Sequence, residues 1–172
     1  MKILFLGGAR SGKSRLALAA AEGLAPAGKR IFVAPAEPLD EEMARRVAAH
    51  QAHRGPGWQT KEEPLHLAPL AAAAAPDEVL LFDCLTLWLS NLLAAHNEAE
   101  EPVEAEAAGL VQAVEETAGH VVVVANEVGL GIVPQNALAR LFRDMAGRLN
   151  QEMGRVVDQV FFVAAGLPLR LK

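Results

Sequence analysis

The sequence predicts an α/β fold in three layers, a mostly parallel sheet covered by helices on both faces. Three observations carry this reading. Short apolar runs alternate with longer segments of helical spacing along the chain. The runs are apolar at every residue rather than every second one, as strands buried on both faces require. The first run closes on a glycine-rich turn that leads into a helical segment, the order of a strand–helix crossover unit.

The elements follow in order. Ile3-Leu4-Phe5-Leu6 is a buried strand stopped by Gly7-Gly8. Residues 14–24, rich in Ala and Leu, form a helix that stops near Ala25-Pro26-Ala27-Gly28. Residues 30–34 are a second strand. Residues 40–53 read as a charged helix, with Asp40 as N-cap and Glu41 and Glu42 in the first turn, where carboxylates suit the helix dipole. Gly55-Pro56-Gly57 breaks it. The alanine tract at residues 71–75 is expected to be surface helix. Val79-Leu80-Leu81-Phe82 is a third strand ending at Asp83, and residues 85–95 are an apolar helix. The acidic run Glu98, Glu100, Glu101, Glu104 and Glu106 reads as a solvated loop and helix start. Val121-Val122-Val123-Val124 marks a fourth strand over residues 120–125. Leu138, Leu141, Phe142, Met145, Leu149 and Met153 recur at helical spacing over residues 136–153. Val160-Phe161-Phe162-Val163 is the fifth strand.

With 172 residues, 52% hydrophobic and 22% charged, the chain is sized for a single domain over residues 1–172 with a real core. The formal net charge of -5 argues against a broad basic face, so nucleic acid is not an expected partner. A lone cysteine, Cys84, excludes an internal disulfide and a multi-cysteine zinc site. No apolar run approaches the roughly 20 residues needed to span a bilayer. The N-terminal apolar run stops at Gly7-Gly8-Ala9-Arg10, too soon for a secretion signal. The expectation is a soluble cytoplasmic protein.

Gly7-Gly8-Ala9-Arg10-Ser11-Gly12-Lys13-Ser14 matches G-x-x-x-x-G-K-[ST], between a predicted strand and a predicted helix. That is a P-loop, and it makes the expected fold P-loop NTPase-like. Glycines let backbone N–H groups turn inward around phosphate oxygens, and the helix N-terminus adds partial positive charge. Lys13 would reach the β- and γ-phosphates of a nucleoside triphosphate and the Ser14 hydroxyl would bind Mg²⁺. The plain alternative is a glycine-rich turn with an accidental Lys-Ser pair. Asp83, at the C-terminal edge of its strand, would hold the same magnesium, or cap the helix that begins after it; the two roles are compatible. No Asn-Lys-x-Asp occurs, which argues against a Ras-like guanine pocket.

A second cluster lies in residues 42–54. Arg46 and Arg54 stand four residues either side of His50, so the three share one helix face. Two nearby cations disfavour imidazolium, so the pKa of His50 moves down and the neutral ring is nucleophilic. Two guanidiniums also clamp phosphate. Covalent chemistry at phosphorus through His50 is the functional reading, a solvated basic helix face the structural one, and His53 the competing histidine. Trp58-Gln59-Thr60-Lys61-Glu62-Glu63-Pro64 offers an acidic residue to a base or ribose, with an ordinary exposed glutamate as the default reading. Asn126-Glu127-Val128-Gly129-Leu130-Gly131-Ile132-Val133-Pro134 follows the fourth strand, where ligands of open α/β sheets bind, though taken alone an ordinary surface loop is the favoured reading.

These segments together resemble a known family. They are Gly7-Gly8-Ala9-Arg10-Ser11-Gly12-Lys13-Ser14-Arg15; Asp40-x-Glu42-Met43-x-x-Arg46-Val47-x-x-His50-x-x-x-Arg54; Trp58-x-Thr60-x-Glu62; Asp83-Cys84-Leu85-Thr86-Leu87-Trp88-Leu89-Ser90-Asn91; Asn126-Glu127-Val128-Gly129-x-Gly131-Ile132-Val133-Pro134; and Arg140-x-Phe142-Arg143-Asp144-x-x-Gly147-Arg148-x-Asn150-Gln151. In that order they are similar to the bifunctional adenosylcobinamide kinase/adenosylcobinamide-phosphate guanylyltransferases of cobalamin biosynthesis. The resemblance implies two reactions. ATP or GTP phosphorylates the aminopropanol hydroxyl of adenosylcobinamide. GTP then donates GMP to that phosphate through a GMP-histidine intermediate, giving adenosylcobinamide-GDP and pyrophosphate. By motif position the histidine is His50. The implied nucleotide contacts are Gly7, Gly8, Ala9, Arg10, Ser11, Gly12, Lys13 and Ser14, then Ala34, Pro35 and Ala36, then Gln51, Ala52, His53 and Arg54, then Glu62 and Asp83. The resemblance also implies a homotrimer with active sites near subunit boundaries. Pro35 departs from the small hydroxyl residue frequent there, and it offers neither hydroxyl nor N–H. Two other functions stay on the table: a monofunctional P-loop small-molecule kinase, and a nucleotide-gated interaction protein.

Overall fold

The computed structural model describes residues 1–25, 28–35 and 57–172. The expected helix over residues 40–53 lies outside them. The described elements are β1 (Lys2–Gly7), α1 (Lys13–Leu24), β2 (Lys29–Ala34), β3 (Trp58–Glu62), α2 (Leu67–Ala72), β4 (Glu78–Asp83), α3 (Leu85–Ala95), α4 (Glu100–Glu116), β5 (His120–Asn126), α5 (Ala137–Val156), β6 (Gln159–Ala164) and β7 (Leu167–Arg170).

The strands form one sheet in the order β3-β2-β4-β5-β1-β6-β7. Every neighbouring pair is parallel except β6 and β7, which form an antiparallel hairpin. Alternate residues of the central strands feed two separate cores. Leu4, Leu80, Phe82, Val121 and Val123 face α2 to α5, where Leu67, Trp88, Leu110 and Met153 meet them. Ile3, Phe5, Leu81, Val122 and Val124 face α1. Ala17 and Ala21 are fully buried there, and their small side chains let α1 lie close to the sheet. Burial on both faces is the physical reason these strands are apolar at every position.

The five expected strands are all present, and two more exist. β3 is the outer strand at one end of the sheet, with polar Gln59, Thr60, Lys61 and Glu62 exposed. β7 is the outer strand at the other end and contains Pro168. Edge strands need no apolar run on both faces and tolerate proline, so they lack the signal that marks central strands.

Two local expectations are corrected. The alanine tract is not surface helix: the helix there is α2, which ends at Ala72, and Ala71 and Ala74 pack into the core. Asp83 is not the cap of α3; that position belongs to Cys84, in extended conformation and without a side-chain cap bond. The acidic run behaves as expected, with Glu100 and Glu101 in the first turn of α4. Asn136 caps α5, its Oδ1 accepting the Ala139 N–H at 2.9 Å. No helix of the described residues is long and apolar enough to cross a membrane.

Candidate nucleotide-binding active site

The glycine turn between β1 and α1 is shaped by the two glycines the motif requires. A Cβ on Gly7 would run into the carbonyl oxygen of Val163 on β6. Gly12 sits at φ 96, in the left-handed region, and a Cβ there would lie 3.1 Å from Gly166 Cα. Gly8, a variable position of the motif, faces open space. Arg10 is also left-handed, at φ 56. Left-handed residues within a turn point successive N–H groups to one side and make a concavity for anions. The N-cap of α1 is Gly12, with no side chain of its own to occupy the helix's first N–H groups.

Lys13 opens α1 and is only 7% exposed. Its Nζ donates to the Gly8 carbonyl at 3.0 Å, so the ammonium lies inside the curve of the turn. Burial pulls its pKa below the ordinary lysine value, partly offset by its electrostatic interaction with nearby Cys84 and Asp83. Lys13, at the start of the helix that follows β1, and Asp83, at the end of β4, thus interact electrostatically although β5 lies between the two strands. Ser14 is half-buried beside Lys13. The Ser11 hydroxyl is buried with no hydrogen-bond partner among the described residues.

The turn is braced from behind by a device the sequence reading missed. β6 and β7 join through Ala165 and Gly166 at φ 51 and 78, a two-residue turn with both residues left-handed. The Gly166 N–H donates to the Ser11 carbonyl at 2.8 Å. A glycine between two apolar stretches near the C-terminus was the available signal.

The other expected contacts sit along the same carboxyl edge of the sheet but further from the turn. Strands stand about 4.8 Å apart, so Ala34, three strands from β1, is about 14 Å across and Glu62, four strands away, about 19 Å. Glu62 is exposed, and Ala34 pairs with it in register. The Ala34 carbonyl accepts the Glu63 N–H at 3.0 Å. The Pro35 carbonyl, the contact Pro35 retains, accepts Asn91 Nδ2 at 2.7 Å. Ala36, Arg46, His50, Gln51, Ala52, His53 and Arg54 lie outside the described residues.

Helix α3 ties the strand-end loops together. Asn91 Nδ2 also reaches the Pro64 carbonyl at 3.2 Å, and Trp88 Nε1 donates to the Leu65 carbonyl at 2.7 Å. Thr86 Oγ1 accepts the Asn126 N–H at 2.7 Å. Glu63, beside the expected Glu62, is the ordered carboxylate: burial raises its pKa, but the N–H groups of His66 and Leu65 outweigh that and hold it below the usual range.

Comparison with known proteins adds an independent finding. The CobU family model, described as cobinamide kinase / cobinamide phosphate guanyltransferase, matches residues 3–171. The chain is 47% identical to the bifunctional adenosylcobalamin biosynthesis protein CobP of Pseudomonas aeruginosa, over 100% of this chain and 98% of that one. It is 39% identical to the bifunctional adenosylcobalamin biosynthesis protein CobU of Salmonella typhimurium, over the whole of both chains. Among solved structures, the flagellar accessory protein FlaH of Methanocaldococcus jannaschii superposes with a TM-score of 0.55 at 13% identity, covering 99% of this chain and 77% of that one. A second solved structure, an ATPase domain, superposes with a TM-score of 0.51 at 12% identity, covering 94% of this chain and 68% of that one. These two likenesses support the P-loop NTPase-like fold.

Proposed function

The chain belongs to the cobinamide kinase / cobinamide phosphate guanyltransferase family and has its two activities, and from that premise we propose how one scaffold performs both. The observation that carries the proposal is the built phosphate cradle: a left-handed glycine N-cap, a buried Lys13 curled into the turn, and Asp83 within its field. The word bifunctional in the relatives' names favours two reactions over the monofunctional kinase.

In the kinase reaction the inward N–H groups and Lys13 hold the β- and γ-phosphates of ATP or GTP, and the Ser11 hydroxyl is a further donor in reach of the cradle. Fixed donors stabilise charge as it moves onto the leaving diphosphate, without reorganisation at the moment of reaction. The acceptor is the aminopropanol hydroxyl of adenosylcobinamide. Ser14 and Asp83 are hard oxygen donors suited to Mg²⁺. A magnesium ion usually takes one or two protein ligands and completes its shell with water and phosphate. Bound there, the ion would neutralise phosphate charge.

In the second reaction, His50 attacks the α-phosphorus of GTP. A nitrogen–phosphorus bond forms and pyrophosphate leaves. The phosphate of adenosylcobinamide phosphate then displaces His50, giving adenosylcobinamide-GDP. Arg46 and Arg54 screen the repulsion between the two anions. Ala34, Pro35, Ala36, Gln51, Ala52, His53, Arg54 and Glu62 complete the nucleotide contacts. The active form is a cytoplasmic homotrimer of single-domain chains over residues 1–172. Support comes from two exposed apolar patches that further copies would cover: Leu130, Ile132 (98% exposed) and Val133 on one loop, and Leu167, Leu169 and Leu171 on the last strand and the residue after it.

The test is a labelling assay. Incubation with α-labelled GTP and Mg²⁺, then denaturation, should leave acid-labile, alkali-stable label on the protein, and His50→Asn should abolish it. Absence of label, or label kept by the variant, would end the role given to His50.

A further inference from the structure

The loop after β5 is used by neither reaction as derived above, yet it is built at the mouth of the phosphate cradle. β5 is hydrogen-bonded directly to β1, and the register pairs Asn126 with Gly7, the first residue of the cradle. Glu127 is therefore the first residue past the end of the strand that neighbours the cradle. Its own N–H donates to the Gly7 carbonyl at 3.1 Å.

The Glu127 carboxylate is held in place. Oε1 accepts the Gly129 N–H at 2.6 Å. Gly129 approaches so closely that a Cβ there would stand 2.8 Å from the same oxygen, so any side chain would displace the carboxylate. Gly129 is fixed in turn by Arg143 of α5, whose Nη2 donates to the Gly129 carbonyl at 2.6 Å. Thr86 secures the base of the loop through the Asn126 N–H. Four elements thus position one half-buried carboxylate.

We propose that Glu127 is the general base of the kinase reaction. An alcohol must lose a proton as it attacks phosphorus, and a positioned carboxylate is a standard acceptor. Asp83 is the poorer candidate, because its charge is already engaged with Lys13. The hydroxyl oxygen bonds to the γ-phosphorus, and its proton passes to the Glu127 carboxylate. The bond from the γ-phosphorus to the β–γ bridging oxygen breaks, and the nucleoside diphosphate leaves with the electron pair. Guanylate transfer needs no such base, since its acceptor is a phosphate already ionised at neutral pH. The inference rests on the kinase reading above, and it predicts that one residue separates the two activities.

The experiment compares full-length wild type with Glu127→Gln in two assays: phosphorylation of adenosylcobinamide by GTP, and guanylate transfer to adenosylcobinamide phosphate supplied directly. The ratio of phosphorylation to transfer should fall about 10²–10⁴-fold, in kcat rather than in the KM for nucleotide. The acid limb of the kcat–pH profile should vanish, and Glu127→Asp should recover part of the rate. Should Glu127→Gln not fold, Gly129→Ala displaces the same carboxylate without removing it, and the ratio should fall in the same direction. An equal fall in both activities would reduce Glu127 to a loop brace and overturn the proposal, as would undiminished phosphorylation. Wild type that phosphorylates no cobinamide would overturn the kinase reading itself, and this one with it.

Discussion

Substituting alanine at Gly12 and, separately, at Gly8 tests the cradle, because the structure gives two glycines of one turn opposite fates. At Gly12 the backbone is left-handed at φ 96. A residue with a Cβ there costs about 1–2 kcal/mol. The new Cβ would also stand 3.1 Å from Gly166 Cα, tighter than an ordinary contact. The β6–β7 turn must then yield by a few tenths of an ångström and loosen its 2.8 Å bond to the Ser11 carbonyl. That bond is worth about 1 kcal/mol. Together the loss is about 2–3 kcal/mol, which at this chain length lowers Tm by about 4–12 °C. At Gly8 a Cβ meets nothing, and Gly8→Ala should stay within about 0.5 kcal/mol of wild type. Denaturant unfolding measures both, and titration with a fluorescent GTP analogue should show lost affinity for Gly12→Ala, whose altered turn no longer presents its N–H groups. Equal stability and equal affinity in the two variants would refute the geometric account.

Two further outcomes are expected. Lys13→Met should abolish both triphosphate-dependent reactions yet raise stability at neutral pH. The folded protein binds the Lys13 proton less readily than the unfolded chain, so its burial cost is present at neutral pH and disappears as pH rises toward the ordinary value of 10.5. Melting curves of variant and wild type should therefore converge in that direction; a variant less stable than wild type at pH 7 would contradict the burial argument. Glu78 is held below the ordinary carboxylate value of 4.5, first by its bond to Lys29 at 2.6 Å and then by the Ala75 N–H. Its contribution is present above that value and lost as pH falls through the folded one. Glu78→Gln should cost about 0.5–1 kcal/mol at pH 7, and chemical denaturation should show the gap closing below pH 4.5.

The central strands, the amphipathic α5 and the strand–turn–helix of the cradle were legible in the sequence. Each repeats a local rule: apolar at every residue, apolar at helical spacing, or glycine where the turn needs it. Lys13 and Asp83 were identified from motif and strand end alone, and the fold brings them into electrostatic contact. The roles of Ala34 and Glu62 were assigned by resemblance, and their distance from the turn depends on strand order, which no local pattern encodes.

What the sequence alone determined is the chemistry on offer: a phosphate-binding turn, its lysine, and a run of strands that must be covered on both faces. Only the tertiary structure decided what those groups stand against. β3 and β7 exist because their neighbours offer free edges, not because their own residues demand a strand. Gly12 must be glycine partly because Gly166, near the other end of the chain, lies behind it. Glu127 stands at the strand end next to the cradle because β5 is the strand paired with β1. Propensity and periodicity act over a few residues, whereas strand order and close approach are settled by packing between segments distant in sequence.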